Sequence, residues 1–281
     1  MERRDYGKTG ESLSVVGFGG IVVMETSPSD ADRIVGRAFD RGINYFDVAP
    51  SYGNAEERLG PALKPYRDEA FLACKSGDRS AEGIYRQMGE SLKILRTDCF
   101  DLYQLHGVTS VDEAQQILGP GGAIEALVKA REEGHIRFIG FSAHSEEAAL
   151  HLMDGFQFDS VLFPLNFASW FKAGFGRKVV EAAEKKGLAI LALKALALRR
   201  YAEGEERKHP KGWYCPVDSF EQASLALRFT LSLPVTAAVS ASNEEHLWWA
   251  LDIADRLTPL DPEEDDRLRE LADSIEAPVF E

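Results

Sequence analysis

Asn44-Tyr-Phe-Asp47-Val-Ala-Pro-Ser-Tyr52-Gly53 reads as a strand that ends on an aspartate, followed five residues later by a tyrosine in a turn. Working outward, two further predicted strands, Ala70–Lys75 and Phe100–His106, also end on residues that can do chemistry. In a closed barrel of parallel strands the C-terminal ends converge on one mouth, so residues far apart in sequence become neighbours. Asp47, Tyr52, Lys75 and His106 then gather a carboxylate, a phenol, an ammonium and an imidazole. That set can lower a tyrosine pKa and use the phenol as a proton donor. Taken one at a time, each residue also reads as an exposed turn tyrosine, a solvated Lys–Asp pair or a core histidine.

The pattern around this stretch repeats. Arg4–Leu13 reads as a short hairpin around Gly7 and Gly10. Strand–helix pairs follow: Val15–Gly19 with Asp30–Arg41, Ile43–Asp47 with Glu56–Lys64, Ala70–Lys75 with Ser80–Leu95, and Phe100–His106 with Gly122–Glu133. The second half continues with Ile136–Phe141 and Ser145–Met153, Ser160–Leu165 and Gly176–Lys186, Leu188–Lys194 and Phe220–Leu231, then Val235–Val239 and Asn243–Arg256. An acidic tail over Asp261–Asp273 reads as one more helix. Alternating strands and helices give a parallel sheet, and eight such units close it. The expected fold is a single α/β domain over residues 1–281, a (β/α)8 TIM barrel with an N-terminal hairpin and a C-terminal helix. Its length of 281 residues suits one such barrel, which commonly takes about 250.

Three stretches, in order and on the expected elements, resemble the signatures of the aldo-keto reductase family. Asn44–Gly53 resembles the first. Ser91-Leu-Lys-Ile-Leu-Arg-Thr-Asp-Cys-Phe-Asp-Leu-Tyr-Gln-Leu-His106 resembles the second, and Gly134-His-Ile-Arg-Phe-Ile-Gly-Phe-Ser142 the third. The resemblance runs from about Arg4 to Leu257 and implies an oxidoreductase reducing an aldehyde or ketone with a nicotinamide cofactor. Tyr52 is implied as the proton donor, Lys75 and Asp47 as the pair supporting it, and His106 as the group orienting the carbonyl.

For the cofactor the resemblance implies Gly20, Ser142, His144, Asn166, Lys194, Ser240, Ser242 and Asn243. Ser142, His144 and Asn166 are expected near the nicotinamide carboxamide, and Gly20 near its ribose. The chain departs from the common pattern at Leu162, where many relatives carry Gln, and at Ala250, where many carry Asn. Strand seven reads Ala192-Leu-Lys-Ala-Leu196, similar to a Lys-containing variant in a bacterial branch of the family. Lys194 is therefore expected against cofactor or substrate, or else simply caps its strand. Ser240, Ser242 and Asn243 can bond phosphate at a helix N-terminus or act as ordinary helix caps. No Lys or Arg follows them, so NADP is expected from the family, with NAD as the alternative. Gly17-Phe-Gly-Gly20 lacks the spacing of a dinucleotide fingerprint.

Composition bounds the rest. A net charge of −14 argues against nucleic-acid or anionic-membrane partners, because Lys and Arg supply most phosphate contacts. Three cysteines, Cys74, Cys99 and Cys215, cannot all pair and lack metal-ligand spacing, so a reduced, cytoplasmic protein with no metal site is expected. The expected partner is a small carbonyl compound. The segment Ala197–Pro216 is long enough to be functional, with Trp213 and Tyr214 as a lid over the mouth or as mere fasteners of the loop. Two rivals remain at this stage: a metal-dependent hydrolase using Asp47, His106 and His144, and a cofactor-binding barrel with vestigial activity and a sensing or regulatory role.

Overall fold

Eight strands close into a parallel barrel in the computed structural model, which describes residues 1–281. A hairpin of β1 (Arg3–Asp5) and β2 (Ser12–Ser14) comes first. The barrel strands are β3 (Val16–Gly19), β4 (Tyr45–Asp47), β5 (Phe71–Ser76), β6 (Phe100–Val108), β7 (Ile136–Ala143), β8 (Ser160–Pro164) and β9 (Ala189–Leu193). After β9, β10 (Ala197–Arg200) and β11 (Tyr214–Pro216) pair with each other outside the barrel. The last barrel strand, β12 (Ala237–Val239), lies between β9 and β3 and closes the ring.

The helices form around the strands for local reasons. α1 (Pro28–Asp40) begins where the Ser27 hydroxyl accepts from the Asp30 amide, with Pro28 preset for the first turn. It buries Ala31, Ile34, Val35 and Ala38, a stripe at helical spacing. α2 (Ala55–Leu63) and α3 (Ala81–Leu95) follow β4 and β5. α4 (Val111–Leu118) and α5 (Ala123–Glu132) follow β6, and α6 (Glu146–Gly155) follows β7. α7 (Phe167–Ala173) and α8 (Arg177–Lys186) follow β8; α9 (Phe220–Ser232) precedes β12, and α10 (Glu244–Ala254) follows it. α11 (Pro262–Ser274) ends the set, started by a capping box between Asp261 and Glu264.

Side chains alternate across each strand, and the inward ones climb from apolar to polar toward the mouth. Tyr45 precedes Asp47; Phe71 and Ala73 precede Lys75; Leu102 and Gln104 precede His106. The lower members join Tyr6, Leu13, Leu162, Leu191 and Ala237 in an inner cluster, distinct from the larger shell between strands and helices. Tyr6 comes from the hairpin loop. Its hydroxyl donates to Ser160 Oγ at 2.7 Å, and its ring lies 5.1 Å from that of Phe71. The hairpin therefore seals the apolar end, leaving the polar end open. Gly17 serves packing, because a Cβ there would stand 2.5 Å from the Tyr45 ring.

The eight expected units are all present, with boundaries moved by a residue or two. Among the elements not expected are α4, α7 and the paired strands β10 and β11. α4 sits ahead of α5, opened by Ser110 accepting from the Glu113 amide. α7 is a short helix after β8, where Trp170 and Phe171 pack on Phe229 instead of facing the mouth. The long segment after β9 is partly ordered by the β10–β11 pair. In each case a polar cap or a pair of short strands breaks the simple period that marks the longer elements.

Candidate active site

Asp47, Lys75 and Tyr52 meet at the barrel mouth. The Lys75 ammonium is ion-paired with Asp47 Oδ1, and both side chains are almost wholly buried. Asp47 Oδ2 accepts from Gln104 Nε2 at 3.0 Å and from the Tyr45 hydroxyl at 3.1 Å. Three donors thus fix a carboxylate that would be costly to bury alone. Burial works against the Lys75 charge, but Asp47 and then Tyr52 outweigh it and hold its pKa above the ordinary lysine value.

Lys75 Nζ lies 5.3 Å from the centroid of the Tyr52 ring. The sequence led us to expect a lowered tyrosine pKa. Instead, burial pushes the Tyr52 phenol above its usual value, and the pull of Lys75 offsets this only in part. The phenol therefore stays protonated at neutral pH, as a proton donor must. The His106 ring stands edge-on to Tyr52, with centroids 5.6 Å apart and planes at 88°. Burial first, then Lys75, His144, Lys194 and Arg79, push the His106 pKa down to about 3. At pH 7 this imidazole is neutral and can orient a carbonyl oxygen by hydrogen bonding. Ser51 Oγ lies 3.3 Å from His106 Nδ1, and Arg79 donates to the His106 carbonyl at 2.9 Å.

These residues line a cleft of about 320 Å³. Its wall also contains Ser142, His144, Lys194, Ser240 and Ser242, with Trp213 and Tyr214 across it. The Ser142 hydroxyl accepts from the Gly107 amide at 2.7 Å, and Ser240 Oγ accepts from the Gly19 amide at 3.0 Å. Three of the expected cofactor residues lie outside that wall. Gly20 faces the backbone of Asp47. Asn166 is buried and caps α7, accepting from the Ser169 amide at 2.9 Å, while its Nδ2 has no partner. Asn243 caps α10 by accepting from the His246 amide. Trp213, half exposed, and Tyr214 beside it both line the cleft.

Sequence reasoning missed several contributors. Tyr45 and Gln104 lie two residues below Asp47 and His106, so strict alternation was the signal that could have found them. Lys211 also lines the cleft, its ammonium donating to the Val22 carbonyl at 2.9 Å. It supplies a cation beside Ser242 that the turn after β12 lacks. Phe280 reaches the mouth from beyond α11, with its ring 5.3 Å from that of His144. Nothing in the pattern of the tail marked it.

The residues present suit a dinucleotide. The eleven-residue α10 opens beside Ser242 with free amides, and Lys211 brings an ammonium into the same cleft. Residues 15–273 match the model of the aldo/keto reductase family. The chain belongs to this family. It is 29% identical over 242 residues to L-galactose dehydrogenase of Arabidopsis thaliana, covering 80% of this chain and 74% of that one. It is 24% identical to human aldo-keto reductase family 1 member C2, over 85% and 82% of the two chains. Among solved structures it resembles the holo form of aldo-keto reductase AKR11C1 from Bacillus halodurans, with a TM-score of 0.73, 26% identity and 96% of each chain covered. Membership makes the protein an oxidoreductase of a family that uses nicotinamide cofactors on small carbonyl compounds. No helix is long and apolar enough to cross a membrane.

The mouth histidines carry a stability consequence. His144, like His106, is pushed down to about 3, first by burial and then by Lys194. In the unfolded chain an imidazole titrates near about 6.5. Both contributions are therefore intact above that value and are lost as pH falls toward the folded pKa, because the unfolded state takes up the protons. The melting temperature is expected to fall between about pH 7 and about pH 5, with a shallower fall in His144→Gln. Equal slopes in differential scanning calorimetry of the two proteins would show that His144 is not held neutral by the fold.

Proposed function

We propose that this protein reduces an aldehyde or ketone to an alcohol, with Tyr52 as general acid. The observation that carries the reading is the placement of Tyr52 over a buried Lys75 whose charge is fixed by Asp47. A reduced nicotinamide, when bound, supplies the hydride. Tyr52 gives its phenolic proton to the oxygen on which negative charge develops. Lys75 stabilises the phenolate left behind, and Asp47, held by Gln104 and Tyr45, keeps Lys75 charged. Neutral His106 donates a hydrogen bond that orients the carbonyl oxygen. Ser142 and His144, which line the same cleft, would hold the nicotinamide end. Ser240, Ser242 and Asn243, with the first amides of α10, would hold phosphate.

NADPH is the favoured cofactor and NADH the alternative, since Lys211 offers the 2′-phosphate a cation while Glu245 opposes it, Glu244 being ion-paired with Arg33. The three free thiols fit a reducing, cytoplasmic setting. Titration of the purified protein with each nucleotide, followed by intrinsic fluorescence, tests the reading. Saturable quenching is expected, tighter with NADPH. Absence of a response to both would remove the nicotinamide site and with it the reductase.

A further inference from the structure

Lys194 lines the cleft but takes no part in the proton transfer described above. It leaves β9 with a φ of 62°, one of three non-glycine residues at positive φ in the chain. That conformation is disfavoured for a residue with a Cβ, so the surrounding fold holds it there. No carboxylate lies within ion-pairing reach of its ammonium. The only polar side-chain partner is His144 Nε2, at 3.1 Å. Its Nζ sits 5.3 Å from the ring centroids of both Trp213 and Phe280, which wall it on two sides. Although β9 adjoins β12, the side chain runs across β8 to the end of β7, toward the His106 side of the mouth. Ser240, Ser242 and Lys211 line the same cleft by the start of α10, which is suited to phosphate.

We infer that Lys194, with His144 beside it, is the counter-ion for a carboxylate on the carbonyl substrate, so that the preferred substrates are aldehyde or keto acids. This rests on carbonyl reduction at Tyr52. An ammonium taken partly out of water with neutral partners alone is unfavourable, and a ligand carboxylate relieves that cost by a charge-assisted hydrogen bond. Its pKa is already drawn down to about 7, first by burial and then by Lys75, so the site lacks an anion. The Trp213 and Phe280 rings flank the ammonium, and Trp213, which lines the cleft, gives the carbon skeleton of the substrate an apolar wall. Lys75 cannot substitute, since Asp47 already neutralises it.

The test compares para-carboxybenzaldehyde with its methyl ester, using NADPH, in the wild type, Lys194→Met and Lys194→Arg. The wild type is expected to favour the acid by about tenfold or more in kcat/KM, the size of one hydrogen bond to a charged group. Lys194→Met should lose that ratio and Lys194→Arg should keep it. Benzoate and benzamide, titrated by fluorescence, give a readout that needs no turnover. Benzoate should bind the wild type more tightly, and the difference should vanish in Lys194→Met. An unchanged acid-to-ester ratio in Lys194→Met, with NADPH affinity reduced instead, would place the cation on the dinucleotide and overturn the inference. If neither aldehyde is reduced yet benzoate binding still depends on Lys194, the carboxylate site stands and the reductase reading falls.

Discussion

Tyr52→Phe is expected to abolish carbonyl reduction while leaving NADPH affinity nearly unchanged. The substitution removes one oxygen and keeps the ring, so the edge-on contact with His106 and the approach of Lys75 to the ring are retained. What is lost is the proton that the developing alkoxide must receive. Neutral His106, with its pKa pushed down to about 3, is a weak substitute, since it is not charged at pH 7 and its N–H is far less acidic than an imidazolium. General acid catalysis contributes about 10²–10⁴-fold, so turnover should fall by at least that range. Single-turnover measurement at saturating NADPH separates this loss from cofactor binding. Wild-type turnover in Tyr52→Phe would take the acid role away from Tyr52.

The reason these four residues could be read from the sequence lies in the architecture. A parallel barrel sends every strand end to one mouth, so a polar residue ending an apolar strand is both easy to see and placed by topology. Asp47, Lys75 and His106 were legible for that reason, and Tyr52 followed from the short turn after Asp47. Their pKa directions were not legible. The raised value of Tyr52 comes first from its burial, which depends on how the loops at the mouth are placed, and loop placement carries no periodic signal. Asn166 shows a second role that the pattern hid. A polar residue at the end of β8, read as a ligand, also caps, through its Oδ1, a seven-residue helix too short to register in the pattern. Lys211 reaches the cleft, and Phe280 the Lys194 ammonium, across long separations, by contacts that only the folded chain defines.

Asp47 carries the second large effect, and here stability and activity can be separated. Asp47→Leu leaves the Lys75 ammonium buried with no counter-ion, and leaves Gln104 Nε2 and the Tyr45 hydroxyl without their acceptor. Breaking a buried pair from one side costs about 3–5 kcal/mol. A urea midpoint well below that of the wild type is therefore expected, together with loss of turnover. Removing both charges is a different matter, because the desolvation of two ions disappears along with their attraction. The double variant Asp47→Leu with Lys75→Met should recover most of the lost stability, since Met keeps the length and apolar stem of Lys. It should recover none of the activity, because the Tyr52 phenolate would then form in a buried site with no positive charge to stabilise it. If the double variant stayed as unstable as Asp47→Leu, the cost would lie with the stranded Gln104 and Tyr45 donors, not with an unpaired charge. Recovery of stability without turnover would mean that this ion pair is retained for proton transfer at the mouth, and that the barrel folds without it.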